Sequence, residues 1–209
     1  MENFKNIKKV NETWEYINEL LADPSELAIA NKAGYSKKSI DNALKLHDEI
    51  VELRQVREVM LGRQKSATDG VSDALIEIKK HYKPLLKIAR TLFKNDREKI
   101  GLLDLEGRRS TKFNNIKLQY FAFYKMGMEN PEIAAEFKKK NITQAHMQKG
   151  LDLFVDTMAL KRIQQSAEVE YEQAREAVTV KTDELINWYN EAKNIIEAWR
   201  DIEIEEEQK

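Results

Sequence analysis

The 209-residue chain carries 35 Lys and Arg against 36 Asp and Glu, a formal net charge of −1, with no cysteine, 7 glycines and 3 prolines. The missing cysteine excludes disulfides, thiol nucleophiles and Cys-ligated zinc or iron–sulfur centres. The near-neutral charge offers no global attraction to nucleic acid or anionic lipid. So few glycines and prolines cannot supply the turns of a β-sandwich or barrel, or the Gly-rich junctions of a doubly wound fold. Abundant Lys, Glu, Ala, Leu, Ile and Gln favour helices, and the expected class is all-α.

The apolar residues recur at steps of three and four almost throughout. Ile7, Val10, Trp14, Ile17 and Leu21 mark a first helix that Asp23-Pro24 ends, because Pro disfavours helix in the residue before it yet suits a helix's first turn. A short helix runs from Pro24 to Gly34, a residue suited to the left-handed C-cap. Ser36 is the expected N-cap of a long helix with Ile40, Leu44, His47, Val51, Leu53, Val56 and Met60. Thr68-Asp69-Gly70 is expected to break it. A fourth helix then carries the heptad Val71, Leu75, Ile78, Tyr82, Leu85, Ala89, Leu92, with Pro84 bending it.

The second half follows the same plan. A shift of 107 residues places Pro24 on Pro131, Leu44 on Leu151, Leu53 on Leu160, Val71 on Val178 and Tyr82 on Tyr189. It also places Ser36 on Thr143, Trp14 on Phe121 and Tyr16 on Phe123. The expected architecture is two tandem antiparallel four-helix modules (long, short, long, long) related by a 107-residue internal repeat. Module 1 covers 1–95, a linker or bridging segment 96–112, and module 2 113–209. Split at residue 102, the net charges are +3 and −4, a mild asymmetry that favours module contact or self-association.

Around Lys87-Ile88-Ala89-Arg90, Gly101-Leu102, Asn130-Pro131-Glu132-Ile133 and Asn141-Ile142-Thr143, the stretch 85–150 resembles uncharacterised bacterial tandem four-helix-bundle proteins of unknown function. The resemblance implies a helical-repeat fold and no particular activity. The chain departs from the pattern at Asn141, where Gly is usual.

Four candidate chemistries stand out. Ala30, Gly34, Ser36, Ser39 and Ile40 have helix-turn-helix spacing, so segment 27–44 is a candidate DNA reader, with Ser36, Lys37, Lys38 and Ser39 meeting the duplex. Against this, Phe137 and Asn141 replace Ala30 and Gly34 in the second copy. Di-iron bundles need Glu-x-x-His pairs, and none of His47, His81 and His146 follows a Glu by three residues. Asp73, Glu77 and His81 share one helix face, but nearby lysines make it a solvated charge face, so no metal and no cofactor is expected. Finally, Tyr120, Phe121, Phe123 and Tyr124 cover more than one helix face and form the candidate contact surface.

No uncharged apolar run approaches ~20 residues, so no membrane span is expected, and Met1 to Lys5 lacks a signal-peptide core. These features lead to the expectation of a cytoplasmic, non-enzymatic helical interaction or scaffold protein with a protein partner or self-association. DNA binding through 27–44 is the alternative, and a small-ligand or enzyme pocket between modules the third reading.

Overall fold

A computed structural model describes residues 4–110 and 112–207. The helices are α1 (Phe4–Ala22), α2 (Pro24–Lys32), α3 (Lys37–Leu92), α4 (Arg97–Leu102), α5 (Phe113–Glu129), α6 (Pro131–Lys138) and α7 (Gln144–Glu207), with no strand among the described residues. The all-α class holds. No helix is long and apolar enough to cross a membrane.

The expected third and fourth helices are one: α3 runs 56 residues through Thr68-Asp69-Gly70. Gly in a helix costs roughly 1 kcal/mol relative to Ala, but the surrounding polar groups are satisfied without leaving the helix. Thr68 donates its hydroxyl to the Gln64 carbonyl (2.8 Å) and Ser72 to the Thr68 carbonyl (3.0 Å). Gln164 of α7 donates to Thr68 Oγ1 (3.1 Å), and buried Val71 anchors the next turn. In the same way α7 is continuous for 64 residues.

This continuity changes the partition. The compact units are residues 1–62 with 169–209 (unit 1) and residues 63–168 (unit 2), in place of the expected 1–95 and 113–209. Unit 1 holds α1, α2, the N-terminal part of α3 and the C-terminal part of α7, and unit 2 holds the rest of α3, α4, α5, α6 and the N-terminal part of α7. Each unit therefore includes a helical segment from the other half of the sequence. A helix stripe records which face is apolar, but not which partner will cover it.

Unit 1 buries Val10, Ile17 and Leu20 of α1, Ala30 of α2, Ile40, Ala43 and Ile50 of α3, and Leu185, Ala192 and Ile196 of α7. Unit 2 buries Tyr82, Leu86, Ala89 and Phe93 of α3, Phe123 and Tyr124 of α5, Phe137 of α6, and Met147 and Phe154 of α7. Within the expected linker or bridging segment, Leu103 (0% exposed) and Leu105 (4%) enter the unit 2 core after α4. Arg90 holds this loop by donating to the Leu105 carbonyl (2.8 Å) and the Gly107 carbonyl (2.6 Å).

Helix ends and burial coincide at the 107-residue shift. Asp23 Oδ1 caps α2 through Ser25 N–H, and Asn130 Oδ1 caps α6 through the N–H groups of Glu132 and Ile133. Gly34 (φ 90°) and Asn141 (φ 59°) both take left-handed conformations. Beyond them, Tyr35 N–H donates to the Ala30 carbonyl and Ile142 N–H to the Phe137 carbonyl. Thr13, Ile17, Ile40, Ile50, Val71, Ile78 and Ala89 are buried, as are Tyr120, Tyr124, Met147, Thr157, Val178, Leu185 and Ile196.

Candidate protein-docking groove

The four aromatic residues expected to form a contact surface separate. Tyr120, Phe123 and Tyr124 are buried, and only Phe121 is exposed (42%). Tyr82 gathers the buried rings, with centroids 4.3 Å from Tyr120, 4.9 Å from Phe123 and 6.0 Å from Tyr124. The buried rings pack on one another and on Tyr82 and so fill the core of unit 2. Phe121 lies on Phe154 (5.8 Å), under Lys125.

Burial sets the chemistry of these phenols. It pushes Tyr120 up to about 12 and Tyr124 higher still. His81 Nδ1 and the Tyr124 hydroxyl share a 2.9 Å hydrogen bond. The same burial, helped by Lys149 and His146, holds His81 below its ordinary value. Asp73 and Glu77 remain exposed, and no three His, Asp or Glu side chains converge as a metal site among the described residues. His146 is taken up locally, its Nδ1 accepting from Thr143 N–H (3.0 Å) at the start of α7. His47 contacts Asp48 (3.2 Å) and Trp14.

In segment 27–44, Ser36 accepts from Ser39 N–H (3.3 Å), the ordinary work of an N-cap. Lys37 and Lys38 are exposed in the first turn of α3, Ser39 is half-buried, and Ala30 is fully buried in unit 1. Helix α3 then continues far beyond the length of a recognition helix.

The feature with a concave, partly apolar surface lies elsewhere in unit 1. A groove of about 670 Å³ runs between α3 and α7. Its floor is Leu53, Val56, Ala177 and Val180, and its rim carries Glu49, Glu52 and Glu176. Val56 and Val180 are 45% and 57% exposed. Lys181 is tied to Glu49 (3.4 Å) and Glu184 (3.2 Å), leaving Glu52 and Glu176 as rim carboxylates with no ion pair among the described residues. The two helices contribute at identical spacing: Glu49, Glu52, Leu53, Val56 and Gln173, Glu176, Ala177, Val180. Each set covers about two turns, or about 10 Å of helix. That spacing was visible in the sequence, but Val56 read as a member of the core stripe.

The folded partition also sharpens the charge. Unit 1 holds 14 Lys and Arg against 23 Asp and Glu, net −9, and unit 2 holds 21 against 13, net +8. The acidic rim therefore belongs to an acidic unit. Comparison with protein-family models, curated protein sequences and solved structures returns no match.

Proposed function

We propose that the protein is a non-enzymatic helical interaction protein whose acidic unit docks a basic amphipathic helix from a protein partner. The observation that carries this reading is the α3–α7 groove, where exposed Val56 and Val180 lie between the free carboxylates of Glu52 and Glu176. Apolar surface left in water beside unpaired charge of one sign suits a helix with an apolar stripe and flanking Lys or Arg. The 107-residue correspondence supports an internal duplication of a helical frame, in which the two copies diverged on their surfaces.

The test is fluorescence anisotropy with a labelled 18-residue Lys/Leu amphipathic helical peptide. Binding in the micromolar range is expected, with at least a tenfold loss in the Val56→Asp, Val180→Asp double variant. A charge-matched scrambled peptide should bind far less. Equal binding of the peptide to native and variant protein, both folded by circular dichroism, would remove the groove from the account.

A further inference from the structure

Unit 2 contains a cleft of about 730 Å³ between the start of α5 and the N-terminal third of α7, and its chemistry is opposite to that of the groove. Four cations line it, Lys112, Lys117, Lys161 and Arg162, and no carboxylate does. None of the four has an ion-pair partner among the described residues; Lys161 is held instead by the Gln164 side chain (2.5 Å) and over the Phe113 ring (5.5 Å). The lining also brings amide side chains, Asn114 among them, beside the apolar surface of Phe113 and Val155, the latter 55% exposed. Four like charges around one cleft repel one another, and an anion bound there relieves the repulsion. The start of α5 adds to the field: its N-cap, Lys112, makes no side-chain capping bond, so the helix's positive end faces the same cations.

The helical frame does not require all four of these charges, nor the absence of acids beside them. At the equivalent positions of the other half, Lys112 and Lys161 remain cations as Lys5 and Arg54, whereas Lys117 becomes Val10, Arg162 becomes Gln55, Val155 becomes Asp48 and Gln165 becomes Glu58. The same scaffold thus carries acids where unit 2 carries none. We infer that this cleft binds the phosphodiester backbone of a single-stranded nucleic acid, with its cations and amides on phosphate and sugar and Phe113 and Val155 against a base. An anionic membrane fits less well, since a concave site cannot lie flat on a bilayer. An acidic polypeptide carries its charge on side chains and need not bring a planar group at every step, whereas a single strand pairs each phosphate with a base. The net charge of −1 for the whole chain had concealed the site, because the acidic unit cancels the basic one in the total.

The experiment measures binding of labelled oligo(dT) and oligo(U) to the full chain as a function of KCl. Four phosphate contacts to a single strand give a slope of log K against log salt near −2.8, a loss of about 50-fold between 50 and 200 mM. The Lys117→Gln, Arg162→Gln double variant should halve that slope while leaving thermal melting and peptide binding in the unit 1 groove unchanged. The inference is overturned if neither oligonucleotide binds at low salt, or if native and variant slopes agree. It is equally overturned if Lys37→Gln plus Lys38→Gln removes binding instead, or if the chain prefers phosphatidylserine vesicles or polyglutamate to the oligonucleotides.

Discussion

The ring of Tyr124 occupies the space in which a side chain at position 150 would stand: a Cβ added to Gly150 would lie 2.0 Å from Tyr124 Cε1. At the corresponding positions of unit 1 the core holds Ile17 and Ala43. The larger residue at one position is therefore matched by the smaller at the other. A second set behaves alike, with Leu20, Ala30 and Ile40 in unit 1 and Gly127, Phe137 and Met147 in unit 2, where a Cβ on Gly127 would meet Met147 Sδ at 3.1 Å. Close-packed interiors tolerate exchanges that conserve volume and resist those that do not.

Gly150→Ala is accordingly expected to destabilise the protein by about 2 kcal/mol, although helix propensity alone favours Ala by about 1 kcal/mol. The double variant Tyr124→Ile, Gly150→Ala, which installs the unit 1 pair, should recover at least half of the loss in urea denaturation. A single variant as stable as the native chain would show that the ring moves aside freely.

Thr182 is 2% exposed, and its hydroxyl has no hydrogen-bond partner. Its counterpart is Leu75, an apolar residue against the unit 2 core. An unsatisfied buried hydroxyl costs about 1–3 kcal/mol, so Thr182→Val should raise stability by about 1 kcal/mol, read as a higher melting temperature. A lowered melting temperature would show that the hydroxyl is satisfied in solution.

Stability should fall under mild acid because of His81. Its pKa is lowered in the folded state, so the unfolded chain binds the proton more readily. The contribution is complete above the unfolded value of about 6.5 and is lost as pH drops through it towards the folded value. His81→Phe should flatten the melting temperature between pH 7 and 5.5 relative to the native chain. Parallel profiles for the two proteins would assign the acid sensitivity to other groups.

Arg90 should govern the order of residues 103–110. Besides its two carbonyl contacts, the loop contains Asp104 and Gly107 at positive φ (47° and 66°), and Arg109 bridges Asp104 and the Tyr82 hydroxyl at 3.3 Å each. Arg90→Met is expected to speed amide exchange from 103 to 110 by at least tenfold while leaving α1 and α2 unchanged. Uniform acceleration would mean global destabilisation instead.

Local signals were legible before the fold was known. Pro24 and Pro131 mark helix starts, and Asp23, Asn130 and Ser36 cap as their side chains dictate, because caps and first turns depend on neighbours within a few residues. Thr68-Asp69-Gly70 misled because its hydroxyls return to their own helix and α7 supplies the packing, a long-range fact that composition does not record. The partition into units was hidden for the same reason, and with it the charge: halves of +3 and −4 in sequence become units of −9 and +8 once the C-terminal half-helices exchange. The aromatic run 120–124 reads in the sequence as a contact surface, whereas Tyr120, Phe123 and Tyr124 enter the unit 2 core and only Phe121 of the four rings is exposed.

The most direct test of the docking account follows the methyl resonances of Val56 and Val180 while the basic amphipathic peptide is added. The account expects both to shift and saturate together, with Leu53 following and the buried methyls of unit 2, such as Leu103, unmoved. Saturating binding that leaves Val56 and Val180 unshifted, or shifts centred in unit 2, would contradict it.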